Sequence, residues 1–291
     1  TPKWWFGMLL HGDGCLTVRA PRYIYVATNG AHVSPYTNWV NAATNVVAAF
    51  QQSGPGDVIL VDSGRYFLTN TLVFNSSRGM ALRGVNADCS TILDGCFTAR
   101  CIQVSYGVNP TFENLTICNC YSNEGGAGAK MKGGTLINCL FTNNRTGYGA
   151  GAGVWLDSTT CRVENCRFIK NFSPNSGGAG VVVLSGMPTI TDCLFSNNIA
   201  QFGAGVSLSQ GGILMRSRVV NNRATSWAGG GIYVAGDGAQ ILNCEIRGNA
   251  SVDQAGGVYL GRGYLRNSLV AENIASNSAG GVYASWVLTN D

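Results

Sequence analysis

Apolar residues along this chain come in short runs, two to four residues long, separated by Gly, Asn and Ser rather than by long amphipathic stretches. One phrase recurs through the second half. "LINCLFTNN" (136–144) has counterparts in "VENCRFIKN" (163–171), "ITDCLFSNN" (190–198), "LMRSRVVNN" (214–222), "ILNCEIRGN" (241–249) and "LRNSLVAEN" (265–273), at steps of 27, 27, 24, 27 and 24 residues. A degenerate copy, "FENLTICNC" (112–120), precedes them by 24 residues. Each copy is followed by a loop and a Gly before an aliphatic residue, at Gly128, Gly153, Gly180, Gly205, Gly231, Gly257 and Gly281. Helical repeats need a 3.6-residue apolar period, and leucine-rich repeats need Leu at fixed offsets; neither is present. Short runs rich in Val, Ile, Phe and Tyr with Gly/Asn turns predict two or three strands per repeat. The repeat is therefore one coil of a parallel β-helix, an all-β solenoid whose coils stack about 4.8 Å apart and bury their inward face only by stacking.

In-register stacking turns equivalent positions into columns. One inward column reads Cys139, Cys166, Cys193, Ser217, Cys244, Ser268, and a second reads Phe141, Phe168, Phe195, Val219, Ile246, Val270. A third, Asn144, Asn171, Asn198, Asn222, Asn249, Asn273, has no exception in six coils. Asn tolerates the left-handed backbone of a tight corner, and its amide can bond to the coils above and below, so this column is structural. The thiols recur once per coil beside a Phe column, which fits buried packing better than a metal site of clustered ligands. Eleven Cys is an odd number, and the irregular Cys96, Cys101, Cys118 and Cys120 leave room for a disulfide within 89–120. Asn-x-Ser/Thr triplets such as Asn144-Arg-Thr and Asn249-Ala-Ser fall on the ladder and are accidental as glycosylation signals.

Upstream, "TNWVNAATNVVAAFQ" (37–51) places Trp39, Val40, Ala43, Val46, Val47 and Phe50 on one helical face. A β-helix exposes apolar side chains and strand edges at its first coil, so this segment is expected to be an N-terminal capping α-helix. "SGPGD" (53–57) ends it and "VILVDSGRYF" (58–67) opens the first strand. The expected organisation is an extension over 1–23 and a β-helix over 24–291. Within the latter, first coils over 57–110 are irregular and coils over 111–284 are regular. "TPKWWFGMLLHGDGC" (1–15) has the outline of a signal-peptide remnant without a clear cleavage site, and the chain does not begin with Met.

Composition narrows the functions. Of 291 residues, 12% are charged, 45% are hydrophobic and 40 are Gly; the net charge is +4, with Lys and Arg scattered singly. The absence of a basic run argues against nucleic acid as a partner. No apolar run reaches the ~18 residues of a transmembrane segment.

The stretch "GDVILVDSGRYF…LTNTLVF…ALRGV…TILDG" (56–95) resembles the opening of right-handed parallel β-helix proteins of the pectate-lyase-like superfamily. The later coils resemble repeats of chlamydial polymorphic outer-membrane proteins and related bacterial surface passengers. They carry Phe141-x-x-Asn144, Phe168-x-x-Asn171 and Phe195-x-x-Asn198, with Gly177-Gly178-Ala179, "GAGV" (203–206) and "AGGV" (255–258, 279–282). The resemblance spans about residues 24–284. It implies a right-handed coil and an extracellular or cell-surface location on a bacterium. It also implies one of two roles: a structural and binding solenoid, or an enzyme acting on acidic polysaccharide in a groove across several coils. Lyases of that superfamily use a Ca²⁺-binding set of acids and a basic residue that removes a proton; its galacturonan hydrolases use clustered Asp.

Glu164 and Asp192 are the best acid pair for such an enzyme, one column and one coil apart, which can bring their carboxylates within about 5–8 Å. Arg162, Arg216 and Arg218 flank them, with Arg216 as the basic candidate. The alternative is a solvated ion pair on a β-helix face. One acid pair does not supply the converging oxygens of a hard metal, so no metal or other cofactor is expected outside the lyase reading. Glu113, Glu245 and Glu272 have no acidic neighbour in the next coil at their column, and His11 and His32 precede the coils.

A second outward column, Lys130, Trp155, Val182, Ser207, Tyr233, Tyr259, Tyr283, ends in three successive Tyr. Such a stripe, with Trp155, Tyr233, Tyr259 and Tyr283 as binding candidates, can stack on sugar rings or meet another surface protein; equally, it can simply stabilise the sheet. The favoured reading is an adhesin- or passenger-like binding module, and the alternative is a polysaccharide lyase or glycoside hydrolase. The chain stops part-way into a coil at "GVYASWVLTND". Either Trp286 and Val287 cover the last coil or the natural chain continues, and an uncovered end favours end-to-end self-association.

Overall fold

In the computed structural model, which describes residues 20–75 and 81–285, the chain winds into a parallel β-solenoid with four sheets. A regular coil visits them in turn. Its strands are, for example, Thr135–Ile137 in the first sheet, Leu140–Thr142 in the second, Arg145–Thr146 in the third and Val154–Asp157 in the fourth. The sheets have ten, nine, seven and nine strands, and those of the third are two residues long. That third sheet is one strand per coil more than two or three apolar runs suggested. Its strands share no apolar pattern that would mark them: Arg145–Thr146 and Arg223–Ala224 begin with a charge, whereas Ile199–Ala200 is apolar throughout.

Register follows the columns. Phe141 pairs with Phe168, Phe168 with Phe195, and Phe195 with Val219, all parallel. Along the axis the rings of Phe141, Phe168 and Phe195 stack nearly flat at 5.2 and 4.9 Å between centroids. All three are fully buried, as are Val219 and Ile246, which continue the column. Truncating one such ring to Ala removes apolar contact that two neighbouring coils share, a change that in protein cores costs about 3–5 kcal/mol.

The helix is shorter than the apolar pattern suggested. It runs Val46–Gln52, with Asn45 as N-cap accepting from the Ala48 N–H at 2.8 Å. Trp39 and Val40 lie outside it and are exposed, while Val46, Ala49 and Phe50 turn inward. Phe50 sits 4.8 Å from Phe74, ring to ring, so the helix closes on the core of the first coils. Before it, Tyr23–Val26 adds a strand to the edge of Val58–Val61; the run is so short that its alternation carried no signal in the sequence. The first strand of the solenoid is therefore upstream of the helix, not after it. The N-terminal stretch read as a signal remnant, His11, and the Trp286–Val287 pair lie outside the described residues. No helix among the described residues is long and apolar enough to cross a membrane.

Two corners define each coil. At the corner between the second and third sheets, the left-handed residue is not the ladder Asn but the residue before it: Asn143, Lys170, Asn197, Asn221, Gly248 and Glu272 all have φ between 54° and 64°. That residue makes the bend, and the next turns its side chain into the core. The buried amides then do what stacking requires. Asn171 donates from Nδ2 to Asn198 Oδ1 at 3.0 Å and to the Phe141 carbonyl at 3.0 Å. Its own Oδ1 accepts from the backbone N–H and the Nδ2 of Asn144. The same pattern carries through Asn198, Asn222 and Asn249 to Asn273, so no amide group within the ladder is left unpaired. Cys120 opens the column, its N–H donating to Asn144 Oδ1.

Cys120 is also one half of a disulfide with Cys101, which ties two successive coils together. Gly95 lies against it; a Cβ there would fall 2.9 Å from Cys101 Sγ and 2.8 Å from Cys120 Cα. Cys139, Cys166, Cys193 and Cys244 are free and buried as a core column. Burial raises the thiols of Cys166 and Cys193, the latter to about 12, so they behave as packing groups and not as nucleophiles.

Candidate functional site

The corner between the first and second sheets carries the acid–base candidates. Its left-handed residues run Asn114, Asn138, Asn165, Asp192, Arg216, Asn243 and Asn267, with φ between 47° and 58°. Asn is common in that conformation because its short side chain bonds locally. Asn138 Nδ2 reaches Asn114 Oδ1 at 2.8 Å, the start of a second amide column on the outside of the coil. In two successive coils Asp192 and Arg216 replace the amides. Arg216 grips Asp192 with Nε on Oδ1 at 2.9 Å and Nη2 on Oδ2 at 2.8 Å, and also reaches Thr191 Oγ1 at 2.6 Å. Those contacts, with the Thr191 hydroxyl, hold the Asp192 carboxyl below its ordinary value. A general acid needs the opposite shift.

Glu164 stands on the neighbouring first-sheet strand Arg162–Glu164, where its register partner is Thr191. Asp192 engages Arg216 fork to fork. Beside this corner lies a groove of about 340 Å³ lined by Asn138, Asn165, Arg167, Asp192, Arg216 and Arg218. The remaining acids of these faces are also held by arginines one coil away: Glu245 by Arg218 at 2.7 Å, Glu113 by Arg83 at 3.3 Å, and Glu272 by Arg247. Nowhere among the described residues do three or more carboxylates, thiols or imidazoles converge. Among the described residues the side-chain acids therefore form no carboxylate cluster of the kind the lyase alternative implies for Ca²⁺.

On the fourth sheet the outward column is in register throughout, from Gln103 and Lys130 to Tyr283. Tyr233 and Tyr259 stack at 5.0 Å and 13°, Tyr259 and Tyr283 at 5.6 Å and 15°. Two residues that sequence reasoning passed over join them. Trp227 lies 5.4 Å from Tyr233 and 6.4 Å from Tyr259, and Phe202 makes an edge contact with Tyr233 at 4.9 Å. Both sit in the turns that lead into the Gly pairs, at offsets that vary by a residue between coils, so no column reveals them. The tyrosines are half-buried and Trp227 is exposed.

The stripe is not continuous. Val182 and Ser207 are fully buried, which separates Trp155 from the tyrosines. Glycine-rich turns cause this. A Cβ at Gly151 or at Gly178, whose φ is 62°, would lie 2.6 or 2.9 Å from Val182, so those turns fold directly over its side chain. Trp155 instead packs under Lys130, whose Nζ is 4.7 Å from the ring centroid, and the indole N–H is buried without a hydrogen-bond partner.

No curated protein matches the sequence. Among solved structures, that of pectate lyase Pel9A is similar in fold, with a TM-score of 0.56 over 93% of this chain and 81% of that one, at 17% identity. The family described as "right handed beta helix region" matches residues 49–213 and 185–289. Those matches take in every regular coil, with the Phe and Asn columns that hold it, and the chain belongs to the right-handed β-helix family.

Proposed function

We propose that the chain is a binding solenoid of the cell exterior, an adhesin- or passenger-like module whose fourth sheet contacts glycans through its aromatic ladder. The observation that supports this is the stack of Tyr233, Tyr259 and Tyr283, whose inner ring faces cover one another and which carries the exposed Trp227 at its side. An exposed indole beside a row of phenol edges suits the apolar face of a pyranose and the hydroxyls around it. The polysaccharide lyase or hydrolase is the second reading, favoured by the fold it shares with pectate lyase Pel9A. It is weakened by the pairing of Asp192 with Arg216 and by the dispersal of acids among arginine partners.

Neutral and acidic polysaccharides, each with and without Ca²⁺, separate the two. We expect saturable binding without chain cleavage, weakened about tenfold in Tyr259→Ala, the ~1.4 kcal/mol of one ring contact. Cleavage that disappears in Glu164→Gln or Asp192→Asn would replace the binding proposal with the enzyme.

A further inference from the structure

Ion pairs elsewhere on the coils set Arg83, Arg216, Arg218 and Arg247 each against a carboxylate of a neighbouring coil. Lys130 and Lys132 are held differently, each over an aromatic ring. Lys130 and Lys132 sit at alternate positions of the fourth sheet, around buried Met131, and so emerge on the same outward face. The residues at their level in the preceding coil are Gln103 and Ser105. Lys132 Nζ lies 4.2 Å from the centroid of Tyr106, as Lys130 Nζ lies 4.7 Å from that of Trp155. The Tyr106 hydroxyl is anchored at 2.7 Å on Asp157 Oδ2, and Asp157 Oδ1 accepts from Ser185 at 2.5 Å. That carboxylate accepts from two hydroxyls, and its charge still reaches both lysines. A second carboxylate, Glu124, is 4.0 Å from Lys130, largely exposed and shared with Arg100.

An aromatic quadrupole attracts an ammonium group but carries no net charge. The two rings therefore hold the lysine heads in place without adding negative charge, and Lys130, Lys132 and Arg100 stand as three cations against the two carboxylates Glu124 and Asp157. Between them is a pocket of about 200 Å³ lined by Gln103, Val104, Ser105, Tyr106, Lys130 and Lys132. The Gln103 amide oxygen already accepts from Arg100 at 2.7 Å, which leaves the amide NH₂ as the available group, and Ser105 adds a hydroxyl.

We propose that this pocket binds a compact oxyanion, a sulfate, phosphate or carboxylate group borne on a glycan or free, between Lys130 and Lys132 with Gln103 and Ser105 as neutral donors. It lies coils away from the tyrosine ladder and does not depend on it. Burial, and then the charges of Arg100 and Lys132 against the weaker pull of Glu124 and Asp157, hold the Lys130 ammonium below its ordinary value. A bound anion reverses that shift.

The test titrates the chain with sodium sulfate, phosphate and acetate against chloride at constant ionic strength, following the lysine side chains by carbon-13 NMR. Saturable shifts confined to Lys130 and Lys132, with Lys170 unmoved and the Lys130 pKa raised, are the expected result. Lys130→Met and Lys132→Met keep the apolar stem, and each should weaken binding at least about tenfold, since a charged hydrogen bond is lost. Lys132→Gln serves where the Met variant fails to fold, and Tyr259→Ala should bind as tightly as the unaltered chain. Sulfated, phosphorylated and uronate monosaccharides then identify which oxyanion is preferred. Shifts that grow linearly without saturation, an adventitious ion only, overturn the proposal, as do Met variants that bind as tightly as the parent.

Discussion

The two inner corners of each coil follow the same rule and respond to sequence differently. Each places a left-handed residue on the outside and then a side chain that turns inward and accepts a hydrogen bond from the coil before it. At the corner between the second and third sheets that inward residue is Asn in every coil from Asn144 to Asn273. At the corner between the first and second it is Cys in four coils and Ser in two from Cys139 to Ser268: the Cys139 N–H meets Cys166 Sγ, while the Cys193 and Cys244 N–H groups meet Ser217 Oγ and Ser268 Oγ at 3.1 Å. A thiol or hydroxyl has only to accept one N–H there, and either atom can do so. The buried amide accepts twice and donates twice, and no other side chain of its size offers that combination. Outside, where water satisfies any group, the first corner tolerates Asp192 and Arg216 in place of Asn.

The largest effect expected from breaking this comparison is at Asn198. Asn198→Ala strips the acceptor from two donors of Asn171, removes the donor to Asn222 and leaves the Phe168 carbonyl bare in a dry core. A loss of about 3 kcal/mol in urea unfolding is expected, from buried groups left unsatisfied. A loss under about 1 kcal/mol would mean that water enters the ladder. Next in size is the outer position of the other corner. Asn165, at φ 51°, becomes strained in Asn165→Ala by about 1 kcal/mol, whereas Asn165→Gly relieves the strain. Equal stability of the two variants would show that backbone conformation does not govern this corner.

Smallest is the double replacement Asp192→Asn with Arg216→Asn, which restores an all-amide column. Both side chains are exposed and screened, so the unfolding midpoint at neutral pH should stay within the scatter of the parent. The difference emerges in acid. Arg216 depresses the folded pKa of Asp192, so the pair's contribution is present above the ordinary carboxyl value of 3.8 and fades as pH falls through the lower folded value. The amide version lacks that fade; an identical acid profile would dissolve the ion pair as a contributor.

These columns also explain what the amino-acid order made visible. A residue that must serve both the coil before and the coil after it is fixed in type, so the spacing of Asn144 to Asn273 and of the phenylalanines gave away the solenoid, its period and its register. The helix start was misplaced because Trp39 and Val40 are apolar yet face water, and only the Asn45 cap distinguishes them from Val46 and Phe50. The left-handed bend was assigned one residue late, because Asn occupies both positions at 143–144, 197–198 and 221–222. The paired-acid site was drawn from column adjacency, which says nothing of the arginine that reaches across one coil. The lysine pocket stayed hidden because Tyr106 meets Asp157 over 51 residues, and Tyr106 lies in a loop outside every column.

The amide ladder also has a direction. From Asn144 to Asn249 each Nδ2 donates one hydrogen to the next amide toward the C-terminal end and the other to a carbonyl of the coil before, while each Oδ1 receives from the N-terminal side. During synthesis the ribosome releases the earlier coil first. Its inward amide then waits, half-bonded, for the oxygen that only the following turn of polypeptide brings. Growth from the N-terminus thus proceeds like the closing of a zip, in which each newly emerged tooth locks the one before it.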